Sequence, residues 1–113
     1  MIRTISLLAS ISVFLMTATL LCARSSKGQG AGADTFKAKC AVCHGADGSG
    51  NTPMGQKMKL SDLRSPNVQK QSDDELTAII TKGKPPMPAY GKSLSPADIR
   101  QLVAYIRSIA AKN

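Results

Sequence analysis

Two cysteines and a histidine within five residues constrain this chain more than any other feature. The segment reads Cys40-Ala-Val-Cys43-His44, and His44 is the only histidine of the 113 residues. The pattern that leads into it predicts a helix from Asp34 that stops at the glycine-rich segment 45–50. Helix positions three apart share a face, so both sulfurs and the adjacent imidazole can reach one group. We therefore ask which group they hold.

C-x-x-C-H is the attachment signature of c-type haem. A structural zinc ion needs four ligands, and the chain beyond its apolar N-terminal run has no further cysteine or histidine. A thioredoxin-like C-x-x-C should begin a helix that follows a strand, and no strand is predicted. A simple disulfide or dithiol of Cys40 and Cys43 remains as an alternative, although it leaves His44 without a role. The prediction is one haem c, attached covalently through Cys40 and Cys43.

Residues 1–25 are typical of a secretory signal peptide. Arg3 precedes an apolar run that meets no further charge until Arg24. Ala23 and Ser25 are small residues two positions apart, and they fit a signal cleavage site before Ser26. The run is also long enough to span a bilayer, so an uncut membrane anchor is the alternative. Both interpretations place the domain in the periplasm or an equivalent exported space, where c-type haem is attached.

After this segment the pattern divides the chain into a linker and one domain. Residues 26–33 are small and polar and predict a flexible linker. In the domain, 34–113, Ser72 and Ser95 are N-cap signals for two further helices. Residues 51–71 carry proline and glycine breakers and predict a long irregular loop. No segment alternates with a period of two, so the predicted fold class is all-α, with three to four helices and long loops.

Large apolar side chains are scarce in the predicted domain. Its aromatic residues are Phe36, Tyr90 and Tyr105, and the chain has no tryptophan. A single core is thin in a domain of this size. We therefore expect a haem to fill the centre, with the helices packed around it.

The opposite face of the iron needs a second ligand. With no other histidine, a methionine thioether is the natural candidate, and a Met/His pair raises the haem potential. Met87 is the preferred candidate because it lies far along the chain from His44, between two prolines that stiffen its loop. Met58 is the second choice, and Met54 is also close to His44 in sequence.

These residues resemble the class I monohaem cytochromes c of bacteria. The likeness is carried by C-A-V-C-H-G, a proline-containing loop and M-P-A-Y-G-K-S-L-S-P-A-D-I-R-Q-L-V-A-Y-I-R, and it covers residues 34–110. It implies the cytochrome c fold around one haem. It also implies that Cys40 and Cys43 form the thioether bonds, and that His44 and Met87 are the two axial ligands.

Finer contacts follow from the same resemblance. Phe36 matches the aromatic residue of the N-terminal helix, and Tyr105 matches its partner on the C-terminal helix. The carbonyl of Pro53 matches the group that accepts a hydrogen bond from the His44 ring and so sets its tautomer. The tryptophan that some relatives place near a haem propionate is missing. The candidates to replace it are Asn51, Gln56, Lys57 and Arg64.

A six-coordinate iron has no open site for a substrate. The predicted function is therefore electron transfer, one electron at a time between exported or membrane redox partners, without enzymatic activity. One alternative is a five-coordinate haem protein in which Met87 is labile and the iron senses a ligand or reacts with peroxide. Another is a haem-free dithiol protein.

The chain is basic, with 15 Lys and Arg against 7 Asp and Glu. Lys82, Lys84 and Lys92 flank the Met87 loop, which predicts docking onto acidic surfaces of redox proteins. The alternative is an ordinary solvated surface. Nucleic acid is not expected because the charges form no arm or stripe. We expect a monomer that contacts a membrane only if the N-terminal segment is uncut.

Overall fold

The computed structural model describes residues 27–111, with side chains from residue 30 onward. The predicted signal peptide or anchor, residues 1–25, lies outside the described residues. No helix within the described range is long and apolar enough to cross a membrane. This range contains no β-strand, only an isolated bridge between Lys84 and Met87. Its helices are α1 (Lys27–Lys39), α2 (Ala41–His44), α3 (Pro53–Lys57), α4 (Pro66–Gln69), α5 (Asp73–Lys82) and α6 (Pro96–Ser108).

Serine caps begin the two long helices of the C-terminal half. The Ser72 hydroxyl accepts a 3.1 Å hydrogen bond from the Glu75 amide, and the Ser72 amide donates to the Glu75 carboxylate at 2.7 Å. Ser95 and Asp98 make the same reciprocal pair at the start of α6, at 3.1 and 3.0 Å. Such a cap contributes about 1 kcal/mol. Both predicted helix starts are confirmed.

Helix α1 begins earlier than predicted. Its start is Lys27 rather than Asp34, so most of the predicted linker 26–33 is helical. Gly32 explains the difference because it is buried against α6: a Cβ there would collide with the carbonyl of Gln101. Glycine lets the two backbones approach closely, and this tertiary packing stabilises a helix that composition alone does not favour.

The predicted irregular segment 51–71 also contains two short helices. Pro53 and Pro66, which were interpreted as breakers, are instead the first residues of α3 and α4. Proline is tolerated at this position because the first amides of a helix have no intrahelical partner. The Thr52 hydroxyl accepts a 2.8 Å hydrogen bond from the Gly55 amide and caps α3.

The core lies where α1 and α5 pack against α6. Phe36 of α1 is 2% exposed, and its ring centroid is 5.0 Å from that of Tyr105, with the planes at 49°. The predicted contact between these two aromatic residues is confirmed. The remaining buried core residues are Val68, Leu76, Ile80, Ile99, Leu102, Val103 and Ile106. One side of this cluster forms the wall of a cavity.

Candidate cofactor site

Two neighbouring cavities open beside the Cys40–His44 segment. Their volumes are about 180 Å³ and about 100 Å³. Five residues line both cavities, so the two are parts of one cleft. These residues are Cys40, His44, Leu60, Met87 and Tyr90.

The walls of the larger cavity are mainly apolar. They are supplied by α1, α5, α6 and the segment between α3 and α5, and include Phe36, Leu60, Leu63, Val68, Leu76, Ile79, Ile80, Leu102 and Ile106. Apolar walls with a few converging polar groups are typical of cofactor sites. The cleft therefore suits a large apolar ring that reaches the core.

Backbone hydrogen bonds position the three side chains of the C-x-x-C-H segment. The Cys40 amide donates to the Phe36 carbonyl at 2.8 Å, which connects the segment to α1. The Cys40 carbonyl accepts from the amides of Cys43 and His44 at 3.1 and 2.9 Å. This turn places both sulfurs and the imidazole on the walls of the smaller cavity, as the spacing predicts.

Cys40 and Cys43 are free thiols in the structure, not joined by a disulfide. Burial, and then the neighbouring Cys43, raise the pKa of Cys40 to about 11, while Lys39 lowers it by a smaller amount. The attacking cysteines of dithiol oxidoreductases have lowered pKa values instead. This environment therefore does not favour the dithiol alternative.

The His44 ring meets the requirements of a metal ligand. Burial lowers the pKa of His44, so the ring is neutral at neutral pH, the form that binds metals. Its Nδ1 atom is buried and has no hydrogen-bond partner in the described part of the chain. Buried polar atoms are normally paired, and this orphaned nitrogen indicates that a group outside the polypeptide completes the site.

The hydrogen bond predicted from the His44 ring to the Pro53 carbonyl is not formed. Pro53 is the first residue of α3, where carbonyl groups are directed along the axis toward later amides. Thr52 makes the contact between this segment and the C-x-x-C-H turn instead. Its hydroxyl donates a 2.7 Å hydrogen bond to the Cys43 carbonyl. The contact of the His44 ring with the Pro53 carbonyl stays a prediction for the protein with haem bound.

The Met87 loop is tied to both sides of the cleft. The Met87 amide donates to the Lys84 carbonyl at 2.8 Å, and the Tyr90 amide donates to the Ile80 carbonyl of α5 at 2.9 Å. The Tyr90 hydroxyl donates to the Lys39 carbonyl at 3.2 Å, next to the C-x-x-C-H segment. These bonds bring Met87 and His44 to the walls of the same cleft.

The other methionines are placed less favourably for a ligand. Met58 lines only the smaller cavity, and Met54 is 40% exposed and lines neither. Met87, which lines both cavities, is the methionine that the structure associates most closely with His44.

The polar residues at the cleft are not those predicted from the sequence. Of the four candidates for a propionate contact, none lines either cavity; they are Asn51, Gln56, Lys57 and Arg64. Arg64 bonds Asp62 at 2.9 Å instead. Besides Cys40, His44 and Tyr90, the polar side chains on the larger cavity belong to Ser61, Gln71 and Lys84. Sequence patterns miss them because loop residues far apart along the chain carry no periodic signal.

The three lysines near the Met87 loop occupy different environments. All three are exposed, but Lys84 lines the larger cavity, whereas Lys82 and Lys92 line neither cavity. Lys39 lines the smaller cavity beside the two cysteines. Of the three lysines predicted to favour docking, only Lys84 lines the cofactor cleft.

Comparisons with known proteins place the chain among cytochromes. A family model described as "Cytochrome C oxidase, cbb3-type, subunit III" matches residues 29–106. The cbb3-type cytochrome c oxidase subunit FixP of Azorhizobium caulinodans is 38% identical over 69% of this chain, but the match spans only 26% of that subunit. Cytochrome c6 of a Synechococcus strain is 37% identical over 73% of this chain and 70% of its own length. The solved structure of the KustC0563 c-type cytochrome superposes with a TM-score of 0.66 at 27% identity, covering 71% of this chain and 98% of that one.

Proposed function

The chain belongs to the family of small class I c-type cytochromes, whose members carry covalently attached haem c, and we propose that it transfers single electrons on one haem held by Cys40, Cys43, His44 and Met87. The observation that supports this most is the shared cleft. His44 and Met87 both lie on its walls, and so do both cysteines. When bound, the haem supplies a one-electron iron couple.

The residues of the cleft have separate roles in this proposal. The Cys40 and Cys43 sulfurs hold the cofactor by thioether bonds. The neutral His44 imidazole and the Met87 thioether would bind its iron. Backbone hydrogen bonds hold both ligand-bearing segments, the C-x-x-C-H turn and the Met87 loop. A scaffold held in this way needs little rearrangement between the two oxidation states, which favours electron transfer over ligand exchange.

An electron carrier of this kind has no position for substrate, and we expect no enzymatic turnover. We propose that residues 1–25 direct export, with the protein either released or anchored in the periplasm or an equivalent space. Its partners would be redox proteins. FixP is named as an oxidase subunit, which makes a terminal oxidase one candidate acceptor.

The decisive experiment is the absorption spectrum of protein matured with a haem-attachment system. We expect a low-spin reduced spectrum and, in the oxidised form, a weak long-wavelength iron–sulfur band. Met87→Ala should remove this band. The matched control is Met54→Ala, which changes an exposed methionine that lines neither cavity and should leave the band intact.

Other spectra would overturn the proposal in distinguishable ways. A high-spin spectrum that shifts with carbon monoxide or cyanide would indicate an open iron and a ligand-sensing or peroxidatic protein. Loss of the band in Met58→Ala rather than Met87→Ala would reassign the distal ligand. Absence of haem after maturation would leave a dithiol protein.

We also propose that the protein is a monomer and that its exposed lysines guide docking onto acidic surfaces of its redox partners. Lys82 and Lys92 are the members of this set outside the cleft. Exposed charges are screened by salt, so the electron-transfer rate with an acidic redox partner should fall as ionic strength rises. Lys82→Gln should weaken this dependence, and a rate independent of salt would contradict electrostatic docking.

A further inference from the structure

We propose that Lys84 is the cationic partner of the two carboxylates of the haem, with Gln71 and Ser61 as additional hydrogen-bond donors. This inference rests on the proposed function, because it requires a haem in the cleft. It gives Lys84 a role different from that of the neighbouring Lys82 and Lys92.

The composition of the cavity wall is the first argument. Among the residues that line the larger cavity, Lys84 is the only one with an ionised side chain at neutral pH, and no carboxylate lines it. A lysine can lay its apolar stem along such a wall and keep its ammonium group at the mouth. Carboxylates that enter an apolar site need a paired charge or hydrogen-bond donors. Lys84 supplies the charge, and Ser61 and Gln71 supply donors.

The position of the cysteines shows which lysine is suited to this role. On a porphyrin, the edge that forms thioether bonds and the edge that carries the carboxylates lie on opposite halves of the ring. Both cysteines line the smaller cavity, together with Lys39. The larger cavity is lined by Cys40 but not by Cys43, and it contains Lys84. We therefore assign Lys39 to the thioether edge, and Lys84 to the part of the cleft that extends from Cys40 away from Cys43.

Backbone hydrogen bonds hold the chain segments that carry Lys84 and Gln71. The Lys84 carbonyl accepts from the Met87 amide at 2.8 Å, so the lysine and the axial ligand share one turn. The Gln71 carbonyl accepts from the Arg107 guanidinium, which also donates to the Gln69 carbonyl at 2.8 Å. A backbone that is already fixed at both positions reduces the ordering required when the side chains bind a charged ligand.

The competing interpretation is that Lys84 belongs to the partner-docking surface with Lys82 and Lys92. The salt dependence of the midpoint potential distinguishes these two interpretations. The Debye length falls from about 10 Å in about 0.1 M salt to about 3 Å in about 1 M salt. Charges in direct contact stay within this length, whereas exposed charges farther apart than the Debye length are largely screened. Removing a positive charge near the iron favours the oxidised form, so it lowers the midpoint potential.

The experiment compares holo-protein midpoint potentials of Lys84→Gln, Lys82→Gln and Lys92→Gln at both salt concentrations. We expect Lys84→Gln to lower the potential by an amount that persists at about 1 M salt, where the other two variants match the wild type. Lys84→Arg should restore most of the potential because it keeps the charge. Equal potentials for all three glutamine variants at high salt would overturn the assignment.

A second variant keeps the test independent of Lys84 itself. Gln71→Glu adds a carboxylate next to those of the haem, so it should also lower the potential at high salt; a wild-type value would contradict the proposal. The wild-type spectrum tests the proposed function separately from the carboxylate site. No low-spin haem in the wild type would refute the proposed function, whereas a normal spectrum with unchanged variant potentials would refute only the carboxylate site.

Discussion

The amide of Met87 donates a 2.8 Å hydrogen bond to the carbonyl of Lys84. This bond closes a turn that carries both the candidate axial ligand and the one cation on the wall of the larger cavity. A change that displaces the turn should therefore affect iron ligation and cofactor charge balance together. The residues next to this turn are the most informative ones to mutate.

Gly83→Ala should displace the Met87 loop. Gly83 has φ +75° and ψ 162°, a conformation that is almost exclusive to glycine. An added Cβ would lie 2.8 Å from the Ala89 amide nitrogen and 2.9 Å from the Met87 carbonyl oxygen. We expect about 1–3 kcal/mol of destabilisation in denaturant unfolding, with a weakened iron–sulfur band. Lys82→Ala, next in sequence, is the control and should retain the band; an unaltered Gly83→Ala protein would contradict the role of this glycine.

Phe36→Ala should be among the most destabilising substitutions. Phe36 is 2% exposed, packs against the Tyr105 ring and lines the larger cavity. Its truncation should cost about 3–5 kcal/mol because it enlarges a cavity in the core. Val42→Ala, at a site 73% exposed, should change stability by less than about 0.5 kcal/mol. Equal unfolding free energies for the two variants, measured by urea titration, would show that the α1–α6 contact is not central to the fold.

Arg107→Lys should loosen the segment that carries Gln71. The Arg107 side chain is 29% exposed and donates to the Asp73 carboxylate at 2.9 Å, as well as to the Gln69 and Gln71 carbonyls. Lysine keeps the charge but cannot make this set of planar contacts. We expect a loss of about 1.5–3 kcal/mol in unfolding free energy. Arg100→Lys, exposed on the same helix, is the matched control, and similar losses in both variants would argue against a specific clamp.

The ion pair of Asp62 and Arg64 should give stability that disappears in acid. The Arg64 side chain, which bonds the Asp62 carboxylate at 2.9 Å, lowers the pKa of Asp62 below the ordinary value of 3.8. A lowered folded-state pKa means that the stabilisation is complete above the unfolded-state pKa and is lost as the pH falls through the folded-state pKa. NMR titration of the carboxyl group should show the low pKa, and Arg64→Gln should move it back up. An Asp62 pKa unaffected by Arg64→Gln would rule out this pairing in solution.

Several features of this protein depend only on residues close in sequence, and these were predictable. The C-x-x-C-H turn needs the five residues Cys40 to His44, and the caps of α5 and α6 need only a serine and an acid three positions later. Hydrogen bonds of this range form wherever the local sequence allows them. The contact between Phe36 and Tyr105 was also predicted, through the resemblance to a known family.

Other features depend on contacts between segments far apart in the chain, and sequence patterns do not contain them. Gly32 belongs to α1 because its lack of a side chain lets the helix approach Gln101 of α6. The Thr52 hydroxyl, which the sequence did not single out, connects the start of α3 to the Cys43 carbonyl. Three neighbouring lysines look equivalent in the sequence, but the course of the Met87 loop places Lys84 alone of them at the cleft. The sequence thus determined the cofactor class through the local C-x-x-C-H segment, whereas the tertiary structure decided which polar groups line the cleft, because that depends on how distant loops converge.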